Sequence, residues 1–128
     1  MTALFDHDRL DVYQTARQFN REVRKLLERV PRGHAESKDN LVRSAKSITR
    51  NIAEGSGKWR VADKVNFYHI ARASATESAA SLDELVDFAL LTEDQIRPAK
   101  EVLARLVSML VAMIRSLESR SSQSQDGA

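Results

Sequence analysis

Val12, Ala16, Phe19, Val23, Leu26 and Val30 follow one another at intervals of four, three, four, three and four residues. That spacing puts six apolar side chains on one narrow seam of an α-helix, and on no single face of a strand. A seam this narrow is buried by packing against other helices, as in bundles. Little in the chain interrupts helices, since only 4 of its 128 residues are glycine and 2 are proline. We therefore expect an all-α fold, an antiparallel up-down-up-down four-helix bundle over 1–118. A Ser/Gln-rich tail at 119–128, "SRSSQSQDGA", is expected to be disordered.

The first helix is expected to open at Asp8, as N-cap, and to stop at Pro31 and Gly33. The second, capped by Ser37 or Asp39, carries Leu41, Ala45, Ile48 and Ile52 as its apolar stripe. Gly55 and Gly57 follow, and glycines that take positive φ commonly turn a chain out of a helix. A third helix starts near residues 61–63 and runs to about residue 90. Phe67, Ile70, Ala71, Ser74, Ser78, Leu82, Leu85 and Ala89 can share one side of it, and its Ala/Ser/Thr-rich middle admits a close neighbour.

Thr92 and Gln95 have capping-box spacing at the start of the fourth helix, where Pro98 predicts a kink or a delayed start. The body of that helix is apolar on more than one face. Leu103, Leu106, Val107, Leu110, Ile114 and Leu117 account for a core stripe, which leaves Val102, Met109, Val111 and Met113 as surplus. Surplus apolar surface on a soluble chain predicts self-association, with those four residues at the interface.

Charge is distributed unevenly. Residues 1–64 hold 14 Lys/Arg against 9 Asp/Glu, a net of +5, and residues 65–128 hold 6 against 9, a net of −3. Between residues 73 and 96 there is no cation, whereas Glu77, Asp83, Glu84, Asp87, Glu93 and Asp94 are acidic. Such polarity invites a polyanion at the basic side, or a second copy docked basic side to acidic side. Arg43, Lys46 and Arg50 form a cationic stripe leading to Lys58, Trp59 and Arg60, where the single tryptophan could stack on an unpaired base or cap the helix end hydrophobically. These six residues are the candidate nucleic-acid contacts.

Other chemistry finds little support. The chain has no cysteine, and His7, His34 and His69 lack the Glu-x-x-His spacing of a di-metal bundle, so we expect neither metal nor cofactor. No phosphate-binding loop is present, and the "GSG" at 55–57 follows a helix where such a loop would precede one. Arg29 and His34 match the Arg-x4-His spacing that resembles the HEPN ribonuclease motif, but Pro31 and Gly33 break the helix it should occupy. We expect no enzyme. The acidic start and the absence of a long apolar run predict a soluble, cytoplasmic protein with no membrane contact.

The strings "SITRNIAEGSGKWR" and "FYHIARASATES" carry a family resemblance. Ser47, Ile48, Asn51, Ile52, Ala53, Glu54, Gly55 and Gly57, then Phe67, Ile70, Ala71, Arg72, Ser74 and Glu77, resemble the signature of the four-helix-bundle proteins encoded inside bacterial ribosomal RNA intervening sequences. Tyr13, Ala16, Pro31 and Leu41 also fit, so the resemblance spans residues 8–117. Thr49 stands where the family often has proline, and Ala73 where glycine is common. The resemblance implies a bundle assembled into a homo-oligomeric ring, a homopentamer, without catalytic activity. It is similar in fold to the accessory protein of diversity-generating retroelements, which partners a reverse transcriptase and binds nucleic acid. Asn51, Glu54, Gly55, Gly57 and Arg72 then read as structural motif residues, with Glu54 paired to Arg72. Two functions follow: a nucleic-acid-binding oligomer, or a scaffold for a polymerase-like protein that does not itself touch nucleic acid.

Overall fold

The computed structural model describes residues 3–126, with side chains through residue 121. A short 3₁₀ turn at Asp6–Arg9 precedes four helices, α1 (Asp11–Leu27), α2 (Ala35–Ser56), α3 (Val61–Asp87) and α4 (Glu93–Asp126), and no strand occurs among the described residues. Each helix packs against two others: α1 and α3 both lie against α2 and α4, so the four close a square around one core.

The α1 seam is buried as spaced, with Phe19 fully enclosed and Val30 reaching back into the core from the loop after the helix. Its start differs from expectation. Asp8 does not cap α1; its carboxylate accepts the Phe5 N–H at 3.1 Å and the Leu4 N–H at 3.3 Å, closing the 3₁₀ turn. The bond from the Phe5 N–H leads the causes that hold the Asp8 carboxyl below its ordinary range. Helix α2 begins at Ala35, with no side-chain cap from Ser37 or Asp39.

At the other connections, local chemistry decides. Thr92 and Gln95 make the reciprocal pair, Thr92 N–H to Gln95 Oε1 at 2.9 Å and Gln95 N–H to Thr92 Oγ1 at 3.1 Å. With its N-terminus capped this way, α4 starts at Glu93 and runs through Pro98, so the start is not delayed. The helix continues across residues 119–126, where disorder was expected; residues 127–128 lie outside the described residues. Helix α3 ends on Ala89 at φ 58, and the Leu90 N–H reaches back to the Leu85 carbonyl at 2.9 Å. A left-handed alanine costs about 1 to 2 kcal/mol, which this closing bond helps to offset.

Helix α3 departs most from the sequence reading. Its inner face is Tyr68, Ala71, Ser74, Ala75, Ser78, Ser81, Leu82 and Leu85, whereas Ile70 is 41% exposed and Ala89 lies on the surface. Alanine and serine are too alike in hydrophobicity to set a helical phase. Opposite serines then pair across α2 and α3: Ser44 with Ser78 at 2.8 Å and Ser47 with Ser74 at 2.7 Å, with Arg43 on Glu77 at 2.9 Å outside them. Every buried side-chain polar atom described has a partner.

Gly55 explains the close approach. It lies inside α2 with no positive φ, and a Cβ built on it would stand 2.7 Å from Tyr68 Cε1 and 3.1 Å from Phe67 Cβ. Gly57 leaves the helix at φ −83, so neither glycine serves the left-handed turn expected of them; Gly33, at φ +99, does so in the α1–α2 loop.

Burial of the Tyr68 ring pushes its phenol pKa up. Because the folded state holds the proton more tightly than the unfolded chain, the associated stability is complete below about pH 10 and is lost as pH rises further. Denaturant midpoints measured from pH 8 to 11 should therefore fall at the alkaline end. Tyr68→Phe should remove that part of the fall, and an unchanged alkaline slope would refute the assignment.

Candidate nucleic-acid interface

The corner between α2 and α3 is built tightly. The Gly57 N–H donates to the carbonyls of Ala53 and Glu54, each at 3.2 Å, and the Lys58 N–H to Gly55 O at 3.1 Å. Lys64 reaches back from α3, its Nζ 2.9 Å from Ser56 O and 3.5 Å from Gly55 O. A cation there satisfies carbonyls at the negative end of the α2 dipole. Trp59 rides on this fixed turn with 97% of its surface exposed. It covers no helix end; the ring is presented to solvent.

The six predicted contacts are not equivalent. Arg43 is engaged by Glu77 and Arg60 by Asp63, the latter at 3.1 Å. Lys58 places its Nζ 5.2 Å from the centre of the Phe67 ring and keeps its charge at the surface. Lys46 and Arg50 are exposed and make no ion pair among the described residues. Their helix also carries the exposed Glu54 between Arg50 and the corner. What remains for a polyanion is Lys46, Arg50, Lys58 and the open face of Trp59.

Among the motif residues, Asn51 donates to Ser47 O at 2.8 Å and to Ser47 Oγ at 3.1 Å, feeding the Ser47–Ser74 bond between α2 and α3. Glu54 and Arg72 are both exposed and no ion pair joins them; the tie between these helices is Arg43–Glu77 instead.

Helix α4 corrects a further expectation. Val102 is 6% exposed and belongs to the core, and Met109 and Met113 pack against it, with Val111 half-buried. A helix with two neighbours in a square buries a wider stripe than a two-helix seam, which takes in Val102 entirely and Met109 and Met113 in part, while Val111 stays half-exposed. Exposed large apolar residues lie elsewhere, at Leu4, Phe5, Trp59, Ile70 and Phe88. Periodicity could not have found Phe88, which sits at the C-cap of α3 beyond its periodic stripe.

Arg29 and His34 both fall in the α1–α2 connection outside either helix, where no common helical face can align them. Among the described residues no group of three or more His, Asp or Glu side chains could hold a metal ion, and no helix is long and apolar enough to cross a membrane.

A family profile described as "23S rRNA-intervening sequence protein" matches residues 8–112, most of the chain. The chain belongs to that family. The profile covers the serine faces, the Gly55 contact and the α2–α3 corner together. Among solved structures, the chain is similar to a crystal structure of a protein of unknown function from the S23 ribosomal protein family of Bacteroides thetaiotaomicron. The TM-score is 0.74 at 23% identity, covering 80% of this chain and 97% of that one. At this identity the likeness shows the fold. No curated protein matches the sequence.

Proposed function

We propose that this intervening-sequence family member is a non-enzymatic, cytoplasmic homo-oligomer that binds RNA or DNA through phosphate contacts with little base preference. The observation that carries the reading is Trp59, 97% exposed on a hydrogen-bonded turn beside Lys58. Exposing an indole on a rigid corner forgoes burial worth a few kcal/mol, and stacking on an unpaired base recovers it. Lys46 and Arg50, without acidic partners, supply phosphate contacts along the same helix. The antiparallel up-down-up-down arrangement is supported by pairings that fall on α3 as they rise on α2, from Ser44–Ser78 through Ser47–Ser74 to Gly55 against Tyr68. A ring, a pentamer by family resemblance, would repeat this corner around its circumference.

Trp59 is the single tryptophan, so its fluorescence reports binding directly. Titration with an unstructured single-stranded RNA should quench it, with log affinity falling linearly in log salt by about 0.7 per phosphate contact. The double variant Lys46→Glu, Arg50→Glu should flatten that slope by about 1 to 2, and Trp59→Ala should weaken binding by roughly 1 to 3 kcal/mol. Absence of binding at low salt would favour the second reading, a scaffold for a nucleic-acid enzyme such as a reverse transcriptase. The apolar groove between α1 and α2 is the observation on its side.

A further inference from the structure

We propose that the groove between α1 and α2 receives Phe88 of a second copy of this chain. The inference rests on the oligomeric part of the reading above, and the groove shares Lys46 with the proposed phosphate contacts. The groove is an open depression of about 660 Å³ floored by Val23, Leu27, Val42 and Ala45. Its rim carries Arg24, Lys38 and Lys46 against one acid, Glu28. A sugar-phosphate chain would satisfy that rim and leave the apolar floor uncovered. An aromatic side chain set among carboxylates would satisfy both.

The same molecule presents such a group. Phe88 is 75% exposed at the end of α3, with Glu84, Asp87 and Glu93 close to it in the chain and none of the three in an ion pair among the described residues. Asp83 and Asp94, also nearby, are already held by Lys100 at 2.7 Å and Arg97 at 3.6 Å. The turn after Phe88 is pinned by the Leu90-to-Leu85 bond, so the ring is presented by ordered backbone and little entropy is lost on docking.

Placement fits as well as chemistry. Because α1 and α3 stand diagonally, the α1–α2 groove and the α3–α4 corner occupy opposite flanks of the bundle. Both lie toward the end where α1 finishes and α2 begins, since the groove is lined by Leu27 and Lys38 and the pairings of α2 with α3 put residue 88 near the start of α2. Each copy therefore offers a knob on one side and a socket on the other, a heterologous contact that repeats from copy to copy and can close into a ring.

Sedimentation of the full chain over a concentration series tests this. Phe88 is exposed in the monomer, so Phe88→Ala should keep the helical circular dichroism signal while raising the concentration for half-assembly by at least about tenfold. A socket variant, Lys38→Glu with Lys46→Glu, should show the same loss. A mixture of the two should give dimers, because one retains the socket and the other the knob. Assembly of Phe88→Ala indistinguishable from wild type would overturn the docking and leave the oligomeric reading standing. A wild-type chain sedimenting as a single copy, with or without bound RNA, would overturn both. RNA-dependent protection of the groove from hydrogen exchange, with assembly insensitive to Phe88→Ala, would assign the socket to nucleic acid and refute the proposal.

Discussion

Gly55→Val should destabilise the fold by about 3 kcal/mol, whereas Gly57→Ala, two residues on, should stabilise it by up to about 1 kcal/mol. The two glycines share one short string, yet their surroundings are opposite. A Cβ at 55 meets Tyr68 Cε1 at 2.7 Å, Tyr68 Cδ1 at 3.0 Å and Phe67 Cβ at 3.1 Å. The Tyr68 ring is 3% exposed and cannot swing aside, and Phe67 Cβ moves only if the α3 backbone moves. Gly55→Ala is the closer contest. Replacing a helical glycine gains about 1 kcal/mol, and the clash should exceed that gain for a net loss of about 1 to 2 kcal/mol. Valine enlarges the clash and loses part of the propensity gain through β-branching, so it isolates the packing effect. At 57 the nearest atoms are carbonyl oxygens at 3.6 and 3.7 Å and φ is −83, which alanine adopts freely. Urea midpoints of the three variants decide the matter. Equal signs at 55 and 57 would show that the glycines are helix breakers and nothing more.

That contrast also marks where sequence reading stops. The α1 seam and the Thr92–Gln95 cap were legible because each is a local code, periodicity in one and a reciprocal side-chain bond in the other. The role of Gly55 depends on Tyr68, thirteen residues on, and on how near α3 comes, which no local pattern states. The phase of α3 failed for a related reason. Phe67 and Ile70 look like core residues, but the inner face is mostly alanine and serine, and the serines are inside because they bond to serines of α2. The breadth of α4 misled at Val102, since two neighbours bury a flank that one would leave exposed.

The candidate site was legible only in part. Composition located the basic corner and its tryptophan, and the fold keeps them together. It could not reveal that Arg43 and Arg60 are spent on Glu77 and Asp63, because those acids are supplied by α3 packing and by the first turn after the corner. Nor could it place Phe88, the most exposed large apolar side chain of α3, across the bundle from a groove that no single helix contains.

Ser78→Leu should be among the most damaging single changes in the chain, at about 3 kcal/mol or more, although it replaces a polar residue with an apolar one inside a core. Ser78 is fully buried, its hydroxyl 2.8 Å from Ser44 Oγ, and Ser44 in turn donates to Leu41 O at 3.1 Å. Leucine adds two heavy atoms where the helices stand close enough for two serine side chains to touch, and it removes the partner of Ser44. Both overpacking and the loss of a buried bond act in the same direction. The double variant Ser44→Ala, Ser78→Ala removes both hydroxyls together and adds no volume, so neither is left unpaired, and it should lie within about 1 kcal/mol of wild type. If hydrogen bonding held α2 to α3, the double alanine variant would be the worse of the two in urea. If close approach holds them, with the serines present because they are small and satisfy each other, leucine will be worse by several kcal/mol. The Gly55 contact further along the same helix pair argues for the second outcome, since its approach to the Tyr68 ring and Phe67 Cβ is van der Waals contact alone.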